Sequence, residues 1–149
     1  MRNIQFRGKS LKTGKWVFGY YAFRHIPSPN KIFTPHYCIF IASPKYGTEG
    51  GYWEEIDPST LGQYTGEQDI NGKNIYEGDV LKVYRKEYYV DGSYKYVPMP
   101  RKYMVYWSED ALAFRTKDDE GYCTDFELNY EKYEVVGDIY DEIYKDDWK

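Results

Sequence analysis

The feature that most constrains this chain is how often its apolar runs are interrupted. From residue 79 onward, "DVLKVYRKEYYV", "RKYMVYW", "ALAFRT" and "YEVVGDIY" are short runs rich in aromatic and β-branched residues. They are cut by Asp91-Gly92, by Ser108-Glu-Asp110 and by Lys117-Asp-Asp-Glu-Gly121. Glycine reaches positive φ without strain, and Asp or Ser side chains bond to nearby backbone, so each interruption reads as a turn. Runs of this length suit strands, whose flat rings pack against cross-strand neighbours. Several short strands in a row favour a barrel or roll, because closure removes exposed edges. The expected class is mostly β, a small barrel or roll with additional N-terminal strands and long loops. Its barrel would use residues 79–84, 102–107, 111–116 and 133–139. Val80, Leu81, Val83, Val105, Trp107, Leu112, Phe114, Val136 and Ile139 are the inward candidates.

The first half reads the same way with weaker signals. A short strand near 4–7 precedes a hairpin turn at Lys12-Thr-Gly-Lys15 and the strand "KWVFGYYAF". "HIPSPNKIFTPH" holds three prolines and reads as a loop, since proline lacks an N–H and restricts its predecessor. "YCIFIASP" and "GYWEEIDP" form a hairpin across "KYGTEGG". Asp57-Pro-Ser-Thr60 suits one helical turn, and the acidic tail from Asp138 another. A length of 149 residues is enough for one domain, residues 1–149, with the barrel-forming part at about 61–141.

One segment is more distinctive: "QYTGEQDINGKNIYEGDVLKV", residues 63–83. Asn71-Gly72 is a strong turn signal, both residues tolerating positive φ. Ile70, Ile75 and Tyr76 would close over that turn, while Gly78-Asp79 launches the next strand with Asp79 accepting backbone N–H groups. This segment resembles the signature of YopX-like proteins, a family usually encoded by bacteriophages and prophages. "MRNIQFRGKSLKTGKWVFGYY" is similar to the family's amino-terminal segment, and "YEVVGDIYD" to its closing one, with Asp138 where the family often has Asn. The resemblance implies a β-rich protein with a small SH3-like barrel or roll and a phage-linked origin. It implies no activity, and the stretch 84–101 falls in the family's variable region.

Chemistry is sparse. A calcium loop starting at Asp69 would place Lys73 and Ile75 at ligand positions, which fails. "YGTEGGYW" lacks the Gly-Lys-Ser/Thr ending of a phosphate loop. His25, His36, Cys38 and Cys123 lack zinc-site spacing, and Cys38 with a histidine has no orienting third group. The sequence therefore names no catalytic residue, metal or cofactor. Glu54 and Glu55 are the acids on which a phage-associated hydrolase would have to be built. Only two cysteines, no signal-like amino terminus and no apolar run of membrane length suit a reducing cytoplasm, which the resemblance implies is that of a bacterial host.

Two kinds of partner remain. A formal charge of −4 argues against a general polyanion binder. Yet residues 82–102 interleave Lys82, Arg85, Lys86, Lys95, Arg101 and Lys102 with Tyr84, Tyr88, Tyr89, Tyr94 and Tyr96. Lysines hold phosphates and tyrosines stack on exposed bases, the requirement of a single-stranded nucleic-acid site. The preferred expectation is a non-catalytic phage accessory protein whose loops meet a protein partner. Nucleic acid comes second and a hydrolase third. With 19 Tyr and 4 Trp, some rings are expected at contacts, and Trp16, Tyr20, Tyr21 and Tyr46 are the candidates for a homo-oligomer.

Overall fold

The computed structural model describes residues 4–27, 29–30, 33–43, 45, 50–126 and 131–148. Ten strands and no α-helix occur among them: β1 (Phe6–Ser10), β2 (Trp16–Pro27), β3 (Phe33–Ala42), β4 (Gly51–Gln68), β5 (Asn74–Tyr76), β6 (Asp79–Tyr88), β7 (Tyr94–Ser108), β8 (Ala113–Asp118), β9 (Cys123–Asp125) and β10 (Glu131–Asp138). The mostly-β class is as expected. The chain divides into two compact units, residues 1–64 and 65–149.

In the first unit β1, β2, β3 and β4 pair in order, and β4 returns to β1 through Phe6↔Gln63, Arg7↔Gly62, Lys9↔Asp57 and Ser10↔Ile56. The sheet is therefore partly ring-like, without being a clear barrel; its closure carries a register shift between Arg7 and Lys9. Cys38, Ile39 and Ile56 are buried. Gly19 sits where β2 stops pairing with β1 and starts pairing with β3. A Cβ there would collide with the Phe40 carbonyl oxygen, so only glycine lets the backbones meet. The first turn is held by Ser10, whose Oγ accepts the N–H groups of Lys12 and Thr13 and donates to Glu54 Oε1.

Two segments differ from expectation. Residues 57–60 are extended within β4, Thr60 Oγ1 accepting the Lys9 N–H at 2.8 Å, so strand pairing prevails over the local helix signal. The proline-rich stretch is mostly a two-stranded ribbon, with His25 opposite Pro35 and Pro27 opposite Phe33. Among the described residues β1 and β4 do not pair with that end of the ribbon, and an edge is where strands accommodate proline.

In the second unit β5 pairs with the end of β4, and a separate sheet runs in the order β10-β6-β7-β8-β9. Every expected strand of the 79–139 region forms and joins this sheet. Among the described residues no pairing connects β9 to β10, so this sheet is open, and the partial ring lies in the other one. The core cluster of Ile75, Leu81, Val83, Val105 and Tyr133 packs against Met99, Tyr103, Phe126 and Val135. Each fully buried aliphatic contributes roughly 1.5–3 kcal/mol. Val80, Leu81, Val83 and Val105 are buried, whereas Trp107, Phe114, Val136 and Ile139 are half-buried. Leu112 points outward, 73% exposed with φ +50°, because it lies in the turn before β8 begins. The tail is a series of turns, Asp141 N–H to Asp138 O, Tyr144 to Asp141 and Asp147 to Tyr144, rather than a helix.

Three hairpin turns of this unit share one design. In residues 69–73, 89–93 and 118–122 the first residue's N–H donates to the fifth residue's carbonyl, and the N–H of the fourth, a glycine, donates to the first residue's carbonyl. Gly72, Gly92 and Gly121 take φ of +77°, +83° and +85°. Asn71 does not share the positive φ, so the motif makes a three-residue turn with one left-handed glycine, not a two-residue turn. Asp69 Oδ1 accepts the N–H groups of Asn71 and Lys73, and its Oδ2 accepts that of Val135 on β10. Asp118 Oδ1 serves Glu120 and Tyr122 in the same way. Ile75 and Tyr76 are buried beside the turn, but Ile70 is exposed. Gly78, at φ +84°, donates to the Val105 carbonyl, and buried Asp79 accepts the Tyr76 N–H at 2.8 Å.

Candidate nucleic-acid interface

Strand alternation decides which cationic and aromatic side chains of the β6–β7 hairpin share a face. The register pairs Lys82 with Lys102, Tyr84 with Pro98, Lys86 with Tyr96 and Tyr88 with Tyr94. On the other side of β6, Lys132 pairs with Tyr84 and Glu134 with Lys82. Lys82, Tyr84, Lys86 and Tyr88 therefore lie on the face opposite Leu81 and Val83, together with Tyr94, Tyr96 and Lys132. The contacts agree. The Lys86 ammonium lies 4.5 Å from the Tyr94 ring centre and 5.9 Å from that of Tyr96. Lys132 lies over Tyr96 at 4.9 Å and Lys82 over Tyr84 at 5.1 Å. At one end Lys102 lies over Tyr144 at 4.5 Å.

Of the residues picked from sequence, this brings together Lys86, Tyr88, Tyr94, Tyr96 and Lys102. It does not bring Lys95, which is opposite Glu87 on the other face, 3.1 Å from its carboxylate; Glu87 and Tyr89 together raise its pKa. Tyr89 begins the hairpin turn, under the Lys95 ammonium. Arg101 is held at 2.6 Å by Glu120 and 2.8 Å by Asp118, which raise its pKa further. Arg85 likewise turns to buried Glu131, whose other oxygen accepts the Tyr133 hydroxyl. Lys132 is the residue that sequence proximity missed. It reaches the face only through the β6–β10 pairing.

The register puts one acid of β10, Glu134, on this face opposite Lys82. Glu134 accepts the Tyr84 hydroxyl at 2.6 Å, fixing that ring. The second unit as a whole is acidic, with twenty Asp and Glu against twelve Lys and Arg in residues 65–149. The face is thus a local concentration of cations, and anion attraction is confined to it.

The other candidates are held differently. Glu54 and Glu55 are neighbours in β4 and point to opposite faces, Glu54 toward Ser10 and Glu55 to His36 Nδ1 at 2.6 Å. They do not converge as a donor and a base would. The His36 Nε2 is engaged by Thr34 at 2.9 Å, so neither ring nitrogen serves Cys38. Burial, and then the Glu55 charge, push the Cys38 thiol up despite Arg24, the opposite of nucleophile activation. His25 packs edge-on to Phe23, and Cys123 is exposed in β9. Among the described residues no group of three His, Cys, Asp or Glu side chains is placed to hold a metal ion.

The contact candidates of the first unit also separate. Trp16 lies under Arg7 at 4.3 Å and Lys9 at 5.2 Å. Tyr20 is exposed, and Tyr21 packs on Phe6 from the other face of β2. Tyr46 lies outside the described residues. No helix among the described residues is long and apolar enough to cross a membrane.

A family model described as YopX protein matches residues 5–143, nearly the whole chain, and the chain belongs to that family. No curated protein sequence matches it.

Proposed function

We propose that this YopX-family chain is a non-catalytic phage or prophage accessory protein that binds nucleic acid on the lysine–tyrosine face of β6, β7 and β10, in the cytoplasm of a bacterial host. One observation carries this reading. Lys82, Lys86 and Lys132 converge from two strands among Tyr84, Tyr94 and Tyr96, on the face opposite Leu81 and Val83. Phosphate contacts by lysine supply affinity, and stacking on tyrosine supplies a base contact without sequence reading. The geometry thus favours nucleic acid over the protein partner preferred from sequence.

Titration of labelled DNA and RNA, single-stranded and duplex, at low and moderate salt tests it. Salt-dependent binding in the roughly 10⁻⁴–10⁻⁶ M range of non-specific complexes is expected. It should weaken when Lys82, Lys86 and Lys132 are together replaced by Gln, while Lys95→Gln, on the other face, has little effect. Absence of binding to every nucleic acid at low salt would sink the reading.

A protein partner is the second reading, favoured by the hairpin tip. Val90 is fully exposed there beside exposed Tyr89, an apolar end with no core to cover. Affinity capture from phage-infected cells with wild type and a Val90→Asp, Tyr89→Ser variant tests it. A partner retained equally by both would exclude the tip as its contact.

A further inference from the structure

We infer that the face selects unpaired bases over duplex, with Tyr88 and Tyr94 as the stacking platforms and Lys132 as the phosphate contact that completes the site. This rests on the nucleic-acid reading above and makes a narrower claim. The four tyrosines are not equivalent. Tyr84 is tied by its hydroxyl to Glu134, and Tyr96 is half-buried with Lys86 and Lys132 near its ring. Tyr88 and Tyr94 are 56% and 51% exposed at the far end of the hairpin. Their ring centres are 5.8 Å apart with planes inclined at 58°, so neither ring is stacked flat on the other. Tyr88 keeps aromatic surface for a base, and Tyr94, edge-on to Tyr96 at 5.7 Å, offers its own where Lys86 now lies; a single strand can present an unpaired base to them and a paired duplex cannot.

The lysines provide the exchange. Lys86 lies over Tyr94 at 4.5 Å, within cation–π range, and at a solvent-exposed site such a contact is weak. An arriving phosphate draws off the ammonium, and the uncovered ring then takes a base. Ion pair and stack form together, so the free chain holds its own cation where the ligand will go. Charge distribution adds to the selection. A stiff duplex crossing this face extends its phosphates toward the rest of an acidic unit, whereas a flexible strand can follow the lysines alone. Two exposed rings and at most four lysines (Lys82, Lys86, Lys102 and Lys132) set a footprint of about two to four nucleotides.

The test is fluorescence anisotropy of a labelled twelve-residue oligothymidine against a blunt DNA duplex of equal length, over a salt series. Single-strand binding at least about tenfold tighter is expected, with a log–log salt slope no steeper than about −3, since each neutralised phosphate contributes about −0.7. Tyr94→Leu and Tyr88→Leu, which keep an apolar side chain, should each weaken single-strand binding roughly tenfold and leave the slope unchanged. Lys132→Gln should flatten the slope by about 0.7. Tyr122→Leu, an exposed tyrosine beyond this hairpin, is the control for general effects. Equal affinity for both forms, or tyrosine variants matching the control, would overturn the stacking claim while leaving a phosphate-binding face. An unchanged slope in Lys132→Gln would remove Lys132 from the site, and no binding to either form would overturn both readings.

Discussion

Replacing Asp69 by Asn keeps the side chain's size and changes one atom, which makes it a sharp probe of how the family's central segment is held. Asp69 is 8% exposed and accepts three backbone N–H groups, from Asn71, Lys73 and Val135. An asparagine oxygen can still serve the first two, within the turn. Its amide nitrogen then faces the Val135 N–H, donor against donor, and leaves it unsatisfied at a cost of about 1–3 kcal/mol. The two remaining bonds become neutral, losing roughly half their strength. The sum is about 2–4 kcal/mol, a fall in melting temperature on the order of 5–15 °C for a chain of this size. Asp118→Asn supplies the comparison. Its turn is built identically, but its second oxygen meets the half-exposed Arg101 guanidinium, which water and Glu120 also serve, so that loss of this partly solvated pair is worth about 0–1 kcal/mol. Thermal unfolding should rank Asp69→Asn well below Asp118→Asn. Amide hydrogen exchange should show at least about tenfold faster exchange at Val135 in the first variant. Equal melting temperatures for the two variants, or an unchanged Val135 amide, would refute the reasoning.

Acid should act on the same groups. Burial works against ionisation of Asp69 and Asp118, but backbone N–H groups, and for Asp118 also Arg101, hold both carboxyls below the ordinary 3.8. The unfolded chain therefore takes up these protons first, so their stabilisation is complete above about pH 4 and is lost as pH falls through the folded values. Urea midpoints from pH 6 to pH 2.5 should drop more steeply for wild type than for the double Asn variant; parallel profiles would contradict this. Gly19→Ala should cost more than Gly72→Ala, because its Cβ meets the Phe40 backbone, while Gly72 has open space and carries only the left-handed penalty of about 1 kcal/mol. Chemical unfolding of both variants checks the order. With Ellman's reagent the native chain should show one fast thiol, Cys123, and one that reacts only on unfolding, Cys38; two fast thiols would place Cys38 wrongly.

What the sequence made legible was local. The glycine-bearing turns at 72, 92 and 121, the strands between them, and the hairpin pairing of 38–42 with 51–55 all depend on neighbouring residues. What escaped it depends on pairing between distant strands. The first sheet closes because Phe6 meets Gln63, and no local pattern encodes that meeting. Lys132 belongs to the candidate face for the same reason, through its partner Tyr84. Lys95 and Lys86 look equivalent along the chain, yet odd and even positions of a strand face opposite ways, and the register gives Lys95 to Glu87. Leu112 misled because alternation applies only inside a strand, and β8 begins one residue later. The prolines misled in the other sense, since a ribbon edge tolerates what a central strand does not.

The first half of β7 pairs with β6 on one side, while β8 pairs only from Tyr103 onward. Among the described residues, 94–101 therefore run along an edge that bears Tyr94, Tyr96 and Val97, β-prone residues of the kind from which intermolecular sheets grow. Pro98 and Pro100 lie in that edge and have no N–H to offer an incoming strand, and Lys95 and Arg101 bracket them with charge. The protein can thus hold a long, aromatic hairpin out from its core and remain protected against self-templated aggregation along that edge. The same residues that interrupt the strand's regularity keep the hairpin's broad face available to something other than another copy of itself.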